Sequence, residues 1–216
     1  MFAGHIAAGL ALGRAERRVN VALFVAAAVL LDALLWIFIL LGWESVRFPP
    51  DFASSHQPAF VFPYSHGLIA SLAWSALVAA LAWGLRRDGR LALLLAAAVL
   101  SHWVLDFLVH RPELPLAGPS SRALGLALWD SMPLALLLEA AITVGGVALF
   151  LAGSGWPRAR ARALAGFVGI TLAFTVIGMT AAPAPPSPQA MALTSLATLV
   201  LVIAVVAWFG KRRAPA

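Results

Sequence analysis

The sequence predicts an all-α fold, a polytopic membrane helix bundle of six transmembrane helices plus a short N-terminal helix. Three observations carry that expectation. Of 216 residues, 62% are hydrophobic and 11% charged, whereas soluble domains are roughly half apolar and about a quarter charged. The apolar residues fall in runs near the roughly 20 residues a helix needs to cross a bilayer. The basic residues gather in short clusters between those runs, so the net charge of +6 reads as a topology signal and not as nucleic-acid affinity. Cysteine is absent, which removes disulfides, thiolate ligands and thiol nucleophiles and leaves His, Asp and Glu as the available chemistry.

The elements follow in order. Met1 to Gly13 is too short to span, lacks the basic start and cleavage pattern of a signal peptide, and so reads as a half-length helix. The small residues around His5, Ala3-Gly4 and Ala7-Ala8-Gly9, suit close approach of a neighbouring helix. After a basic loop at 14–18, Val19 to Leu41 is a full span whose one charged residue is Asp32. Gly42 to Ser65, rich in Pro and aromatics and containing His56, reads as an interfacial loop covering part of the bundle. Ser65-His66-Gly67 opens a span ending near Leu85, with Pro63 marking its start.

A tight basic return at 86–90 leads into Leu91 to His110, where His102, Asp106 and His110 recur every four residues and share one helical face. Pro112, Pro115 and Gly118-Pro119 end that helix and form a second loop. Asp130 or Ser131 then caps a fifth span, Pro133 to Ala152, which carries Glu139 alone among apolar neighbours. Ala163 to Ala181 and Met191 to Phe209 are two spans without ionisable residues, joined by a Pro-rich linker. Residues 1–152 form the predicted metal-site bundle, and 153–216 add two accessory spans to one continuous membrane domain. Alternating spans place the basic clusters at 14–18, 86–90, 158–162 and 211–213 on one side, which is cytoplasmic by the positive-inside rule. The expected location is a bacterial inner membrane, with the aromatic loops facing the periplasm.

Counting at about 1.5 Å per residue from the basic clusters puts His5, Asp32, His102, Asp106 and Glu139 roughly 14 to 24 Å deep, with His66 nearer 30 Å, at the outer rim with His110. Ionisable groups inside a bilayer cost several kcal/mol unless paired. Their agreement in depth across several helices points to a shared cation, with Asp32 and Asp106 neutralising a divalent ion and His5, His66 and His102 completing an N/O ligand set of the kind zinc accepts. Asp106 and Glu139 are the candidate catalytic residues, Glu139 taking the proton if Asp106 is a ligand. His110, Glu113 and Asp130 are candidates for supporting roles.

Gly4-His5, Leu30-Leu31-Asp32, Ser65-His66-Gly67 and Ser101-His102 followed by Asp106 together resemble the YdjM-like inner-membrane proteins, a family regarded as metal-dependent hydrolases. The resemblance covers residues 1–110 and implies a metal held by His5, Asp32, His66, His102 and Asp106, with a distant likeness to zinc phospholipase C and nuclease folds. It departs from the family where Ala33-Leu34-Leu35 follows Asp32 in place of an Asp-x-Asp-His motif, and where Phe60 to Gly67 keeps only the last His of a His-Arg-Gly-x-Thr-His-Ser motif.

The expected function is a membrane-embedded, zinc-dependent hydrolase with its site in the outer half of the bilayer, acting on a lipid or lipid-linked ester or phosphoester. The expected partners are membrane lipid and a lipid-like substrate, without nucleic acid. The alternatives are a non-catalytic metal-binding protein, a transporter or proton relay, a b-type haem protein, and a structural subunit of a membrane complex.

Overall fold

The computed structural model describes residues 1–152 and 154–211. Helices dominate. In chain order they are α1 (Phe2–Gly13), α2 (Ala22–Ala28), α3 (Leu30–Leu40), α4 (Phe52–Ser55), α5 (Leu68–Arg86), α6 (Gly89–Val109), α7 (Met132–Leu151), α8 (Arg158–Thr180) and α9 (Pro188–Gly210). Five of them, α5 to α9, are long and apolar enough to cross a membrane, and α2 with α3 makes a sixth if counted as one bent span. That agrees with the six spans and short N-terminal helix expected.

The bend is a difference from the expected straight span over 19–41. Val29 leaves helical geometry (φ −105°, ψ 12°), and α2 and α3 diverge by 53°. The helix also starts at Ala22, where Asn20 Oδ1 accepts from the Ala22 N–H. The starts of α6, α8 and α9 move outward for local reasons. Asp88 caps α6 by accepting from Leu91 N at 3.0 Å, and Ser187 caps α9 by accepting from Ala190 N at 3.0 Å. Pro157 precedes α8, which takes in Arg158, Arg160 and Arg162, because arginine is a good helix former whose stem lies along apolar surface. The 211–213 basic cluster is described only at Lys211.

Helix α1 is short yet central, with eight of its twelve residues buried. It lies between α2 and α7 at backbone contact distance. A Cβ on Gly9 would stand 2.8 Å from Phe24 O, and one on Gly146 would stand 2.5 Å from Ala7 O. The small residues around His5 thus do what the sequence suggested.

The two loops opposite the basic clusters contain short antiparallel strands. β1 (Ser45–Arg47) pairs with β2 (Ala59–Val61), and β3 (Leu114–Pro115) pairs with β4 (Ala123–Leu124). One apolar cluster joins α1, α2, α3, α8 and α9 through Ile6, Val25, Leu35, Val168 and Val202. A second, around Phe24, Leu31, Leu95 and Val99, seats α6 against α2 and α3.

Candidate metal centre

Each polar side chain of the site is placed by a helix end or a helix face. His102 and Asp106 stand one turn apart on α6, and His110 is the residue that ends it. Asp32 lies in the first turn of α3, where a carboxylate meets the favourable end of the helix dipole. His66 immediately precedes Gly67, the N-cap of α5. His5 projects from α1. His5, His66, His102 and Asp106 are at most 2% exposed, and the Asp32 side chain is 23% exposed.

The five residues nominated from sequence converge. His102 Nε2 lies 3.1 Å from Asp106 Oδ2 and 3.6 Å from Asp32 Oδ1. His66 Nε2 lies 3.5 Å from Asp106 Oδ2, 3.7 Å from Asp32 Oδ1 and 3.2 Å from His102 Nε2. His5 Nε2 stands 3.0 Å from Asp106 Oδ1, and its ring stacks on His102 at 3.7 Å. Two overlapping sets therefore have the spacing to hold an ion, His66, His102 and Asp106 in one and His5, Asp32 and His102 in the other. His66 is not at a separate rim. The residue count treated it as part of a helix parallel to the membrane normal, whereas it precedes α5 and turns its ring inward to meet His102.

The hydrogen bonds behind the rings say where the protons are. His102 Nδ1 lies 2.7 Å from Ala28 O, an acceptor only, so Nδ1 carries the hydrogen. That carbonyl belongs to the last residue of α2, where the break at Val29 turns the chain out of the helical ladder. His66 Nδ1 lies 2.8 Å from Ser65 Oγ, which donates to Glu44 Oε2 at 2.7 Å, so this Nδ1 also carries its hydrogen. In the neutral rings both Nε2 atoms then present lone pairs, facing each other and two carboxylates with no hydrogen between them. Such an array repels itself unless a proton or a metal cation joins it. Histidine ligands held through their other nitrogen are characteristic of metal sites. Among the described residues His5 Nδ1, a buried nitrogen, has no hydrogen-bond partner. These observations make the cluster a fit for a divalent ion.

Glu44 was not singled out by the sequence. Its Oε1 accepts the N–H groups of Tyr64 at 2.7 Å and Ser65 at 2.8 Å, fixing the turn that carries His66. Burial raises its carboxyl above the ordinary value against the pull of those donors. Trp103 Nε1 donates to His66 O at 2.9 Å and holds the same turn from α6.

The other candidates lie around the centre. His110 Nε2 is 3.9 Å from Asp106 Oδ2, and its Nδ1 bonds Glu113 Oε1 at 2.6 Å. Glu139, buried on α7, accepts from Gly4 N at 2.9 Å. Asp130 is exposed and pairs with Arg111, away from the cluster. His56 bonds Ala182 O at 3.0 Å.

A cavity of about 570 Å³ opens against this centre, and Asp32, His66, Asp106, His110 and Glu139 reach it. The rest of its wall is mainly apolar, from Trp36 and Phe62 on one side to Phe174 and Met179 of α8 and Leu199 and Leu201 of α9 on the other. Helices α8 and α9 therefore complete the chamber that the polar residues face. Comparison with family models, with curated proteins and with solved structures finds no match.

Proposed function

We propose that the chain is a membrane-embedded metal-dependent hydrolase of a bacterial inner membrane, acting on a lipid or lipid-linked ester or phosphoester at a zinc site in the outer half of the bilayer. The observation that carries this reading is the convergence of His66, His102, Asp32 and Asp106 on one another, with Asp32, His66 and Asp106 opening onto an apolar chamber. A polar centre at the head of a greasy cavity suits a molecule whose reacting group is polar and whose remainder is hydrocarbon. The resemblance to YdjM-like proteins rests on the same residues, His5, Asp32, His66, His102 and Asp106, and belongs to this proposal.

His66, His102, Asp32 and Asp106 would hold the ion, with His5 orienting Asp106. When bound, zinc lowers the pKa of water and polarises an ester or phosphoryl oxygen. The protein's own residues do the rest. Ala28 O and the Ser65–Glu44 pair keep the His102 and His66 lone pairs turned inward. Glu139, whose side chain reaches the chamber while Gly4 N anchors one of its oxygens, would take the proton from the attacking water and pass it to the leaving oxygen, because Asp106 is occupied by its His neighbours. Trp36, Phe62 and the α8 and α9 wall take the hydrocarbon and exclude bulk water.

The test is a pair of variants of the purified full chain, assayed for bound metal and against phospholipids and simpler phosphodiesters and esters. Wild type should carry metal. His102→Ala should lose metal and turnover together, and Glu139→Gln should keep metal while turnover falls by about 10²–10⁴, the usual worth of a positioned proton acceptor. Stoichiometric metal without turnover on any of these substrates would leave a metal-binding protein that is not a hydrolase. Metal-free wild type would overturn the site itself.

A further inference from the structure

The chamber at the candidate metal centre is roofed by loops and open at the side. On the side of the hairpins three loops are bonded to one another: His56 Nδ1 donates to Ala182 O at 3.0 Å, Gln57 Nε2 donates to Trp129 O at 2.9 Å, and Phe60 N donates to Glu113 Oε2 at 3.4 Å. His56, Phe60, Trp129 and Ala182 also belong to the chamber wall, so these bonded loops form its roof.

The wall made by α8 and α9 is different. In the half near the basic loops the two helices pack together, where Leu164, Val168, Val202 and Val206 share one apolar cluster and the Phe167 and Phe209 ring centres are 6.4 Å apart. Toward the roof the chamber comes between them, faced by Phe174 and Gly178 of α8 and by Thr198 and Leu201 of α9. Among the described residues none of α8 after Thr171 is buried, and Phe174 and Leu201 line the chamber while 69% and 60% exposed. They lie about 9 and 20 Å from the roof-side ends of their helices, within the depth of a hydrocarbon core about 30 Å thick. An opening at that depth meets acyl chain. Its threonines leave no donor unmet, because Thr175, Thr194 and Thr198 donate to carbonyls of their own helices.

We infer that the cleft between the roof-side halves of α8 and α9 is a lateral opening, through which a phospholipid of the bilayer places an acyl chain in the chamber with its polar end toward Asp32 and His66. The inference deepens the lipid reading of the chamber and rests on it, but needs no turnover. Lipid that arrives sideways stays in hydrocarbon throughout, and the roof remains bonded while it exchanges.

The experiment places the full-length protein in vesicles of phosphatidylcholine carrying a diazirine at the end of one acyl chain, irradiates them, and maps the labelled residues by mass spectrometry. Leu35 and Trp36 are the reporters, because they line the chamber but are only 4% and 7% exposed, out of reach of lipid that stays outside. Both should be labelled in the wild type. A Cβ would meet nothing within 4 Å at Gly178 or at Gly169, and both glycines are exposed on α8, but only Gly178 lines the chamber. Gly178→Phe should therefore lose most of the labelling and Gly169→Phe should keep it, with Thr198→Phe repeating the loss from α9. Unlabelled Leu35 and Trp36 in the wild type, unchanged labelling in both Gly178→Phe and Thr198→Phe, or equal loss in Gly169→Phe would each overturn the opening. So would a Phe174→Cys protein found entirely as a disulfide-linked pair of chains, since a second copy then covers the cleft. The expected labelling in a protein that hydrolyses no lipid would keep the opening and remove the hydrolase reading alone.

Discussion

Ser65 connects the interfacial loop to the candidate metal centre through one oxygen. Its hydroxyl accepts from His66 Nδ1 and donates to Glu44 Oε2, so truncation leaves two buried polar atoms unpaired and frees the ring to turn. Groups that orient a metal-bound histidine from behind are worth about 10–100-fold in metal affinity. Ser65→Ala should weaken zinc binding by that factor in a chelator competition, with Ser65→Thr recovering much of it; unchanged affinity in a folded Ser65→Ala protein would deny the hydroxyl this role. The five clustered residues were legible because an ionisable residue in an apolar run is anomalous by itself. Glu44 and Ser65 were not, since acids and serines are ordinary in loops. Their pairing depends on the β1–β2 hairpin folding Glu44 back over the start of α5, a long-range contact that no local spacing encodes.

At the scale of elements, α1 matters because its backbone is allowed close to α2 and α7, which sets His5 beside Asp106. Adjacent glycines on α7 isolate that effect. A Cβ on Gly145 meets nothing within 4 Å, whereas one on Gly146 would press on the Ala7 carbonyl at 2.5 Å. Gly145→Ala should therefore be neutral or stabilising by up to about 1 kcal/mol. Gly146→Ala should destabilise by about 1–3 kcal/mol and loosen metal binding by shifting α1. Thermal unfolding in detergent with and without zinc reads both, and equal behaviour of the two variants would contradict the packing described. Helix type and number were readable from apolar length. The break at Val29 was not, because the segment from Ala22 to Leu35 contains no Pro or Gly to mark it. What favours the break is tertiary: it directs Ala28 O to His102 and starts a new helix just before Asp32.

Over the whole molecule, charge and chemistry are segregated along the bundle. The basic loops meet at one end, where Arg18 bonds Asp88 and Arg90 donates to Ala15 O, and the hairpin loops cover the metal centre at the other. This polarity makes the orientation of the bundle testable, because a chain without cysteine accepts single reporters. Basic loops are retained on the cytoplasmic side during insertion, so the loop containing Ala15 should be inside and that containing Ser120 outside. Both positions are exposed and neither side chain contributes to the site. In intact cells a membrane-impermeant maleimide should label Ser120→Cys and spare Ala15→Cys, with both labelled once the membrane is opened. The reverse labelling would turn the chamber toward the cytoplasm. The substrate would then have to come from the inner leaflet. Segregation along the axis thus ties the proposed site to one leaflet, and a single labelling experiment assigns it.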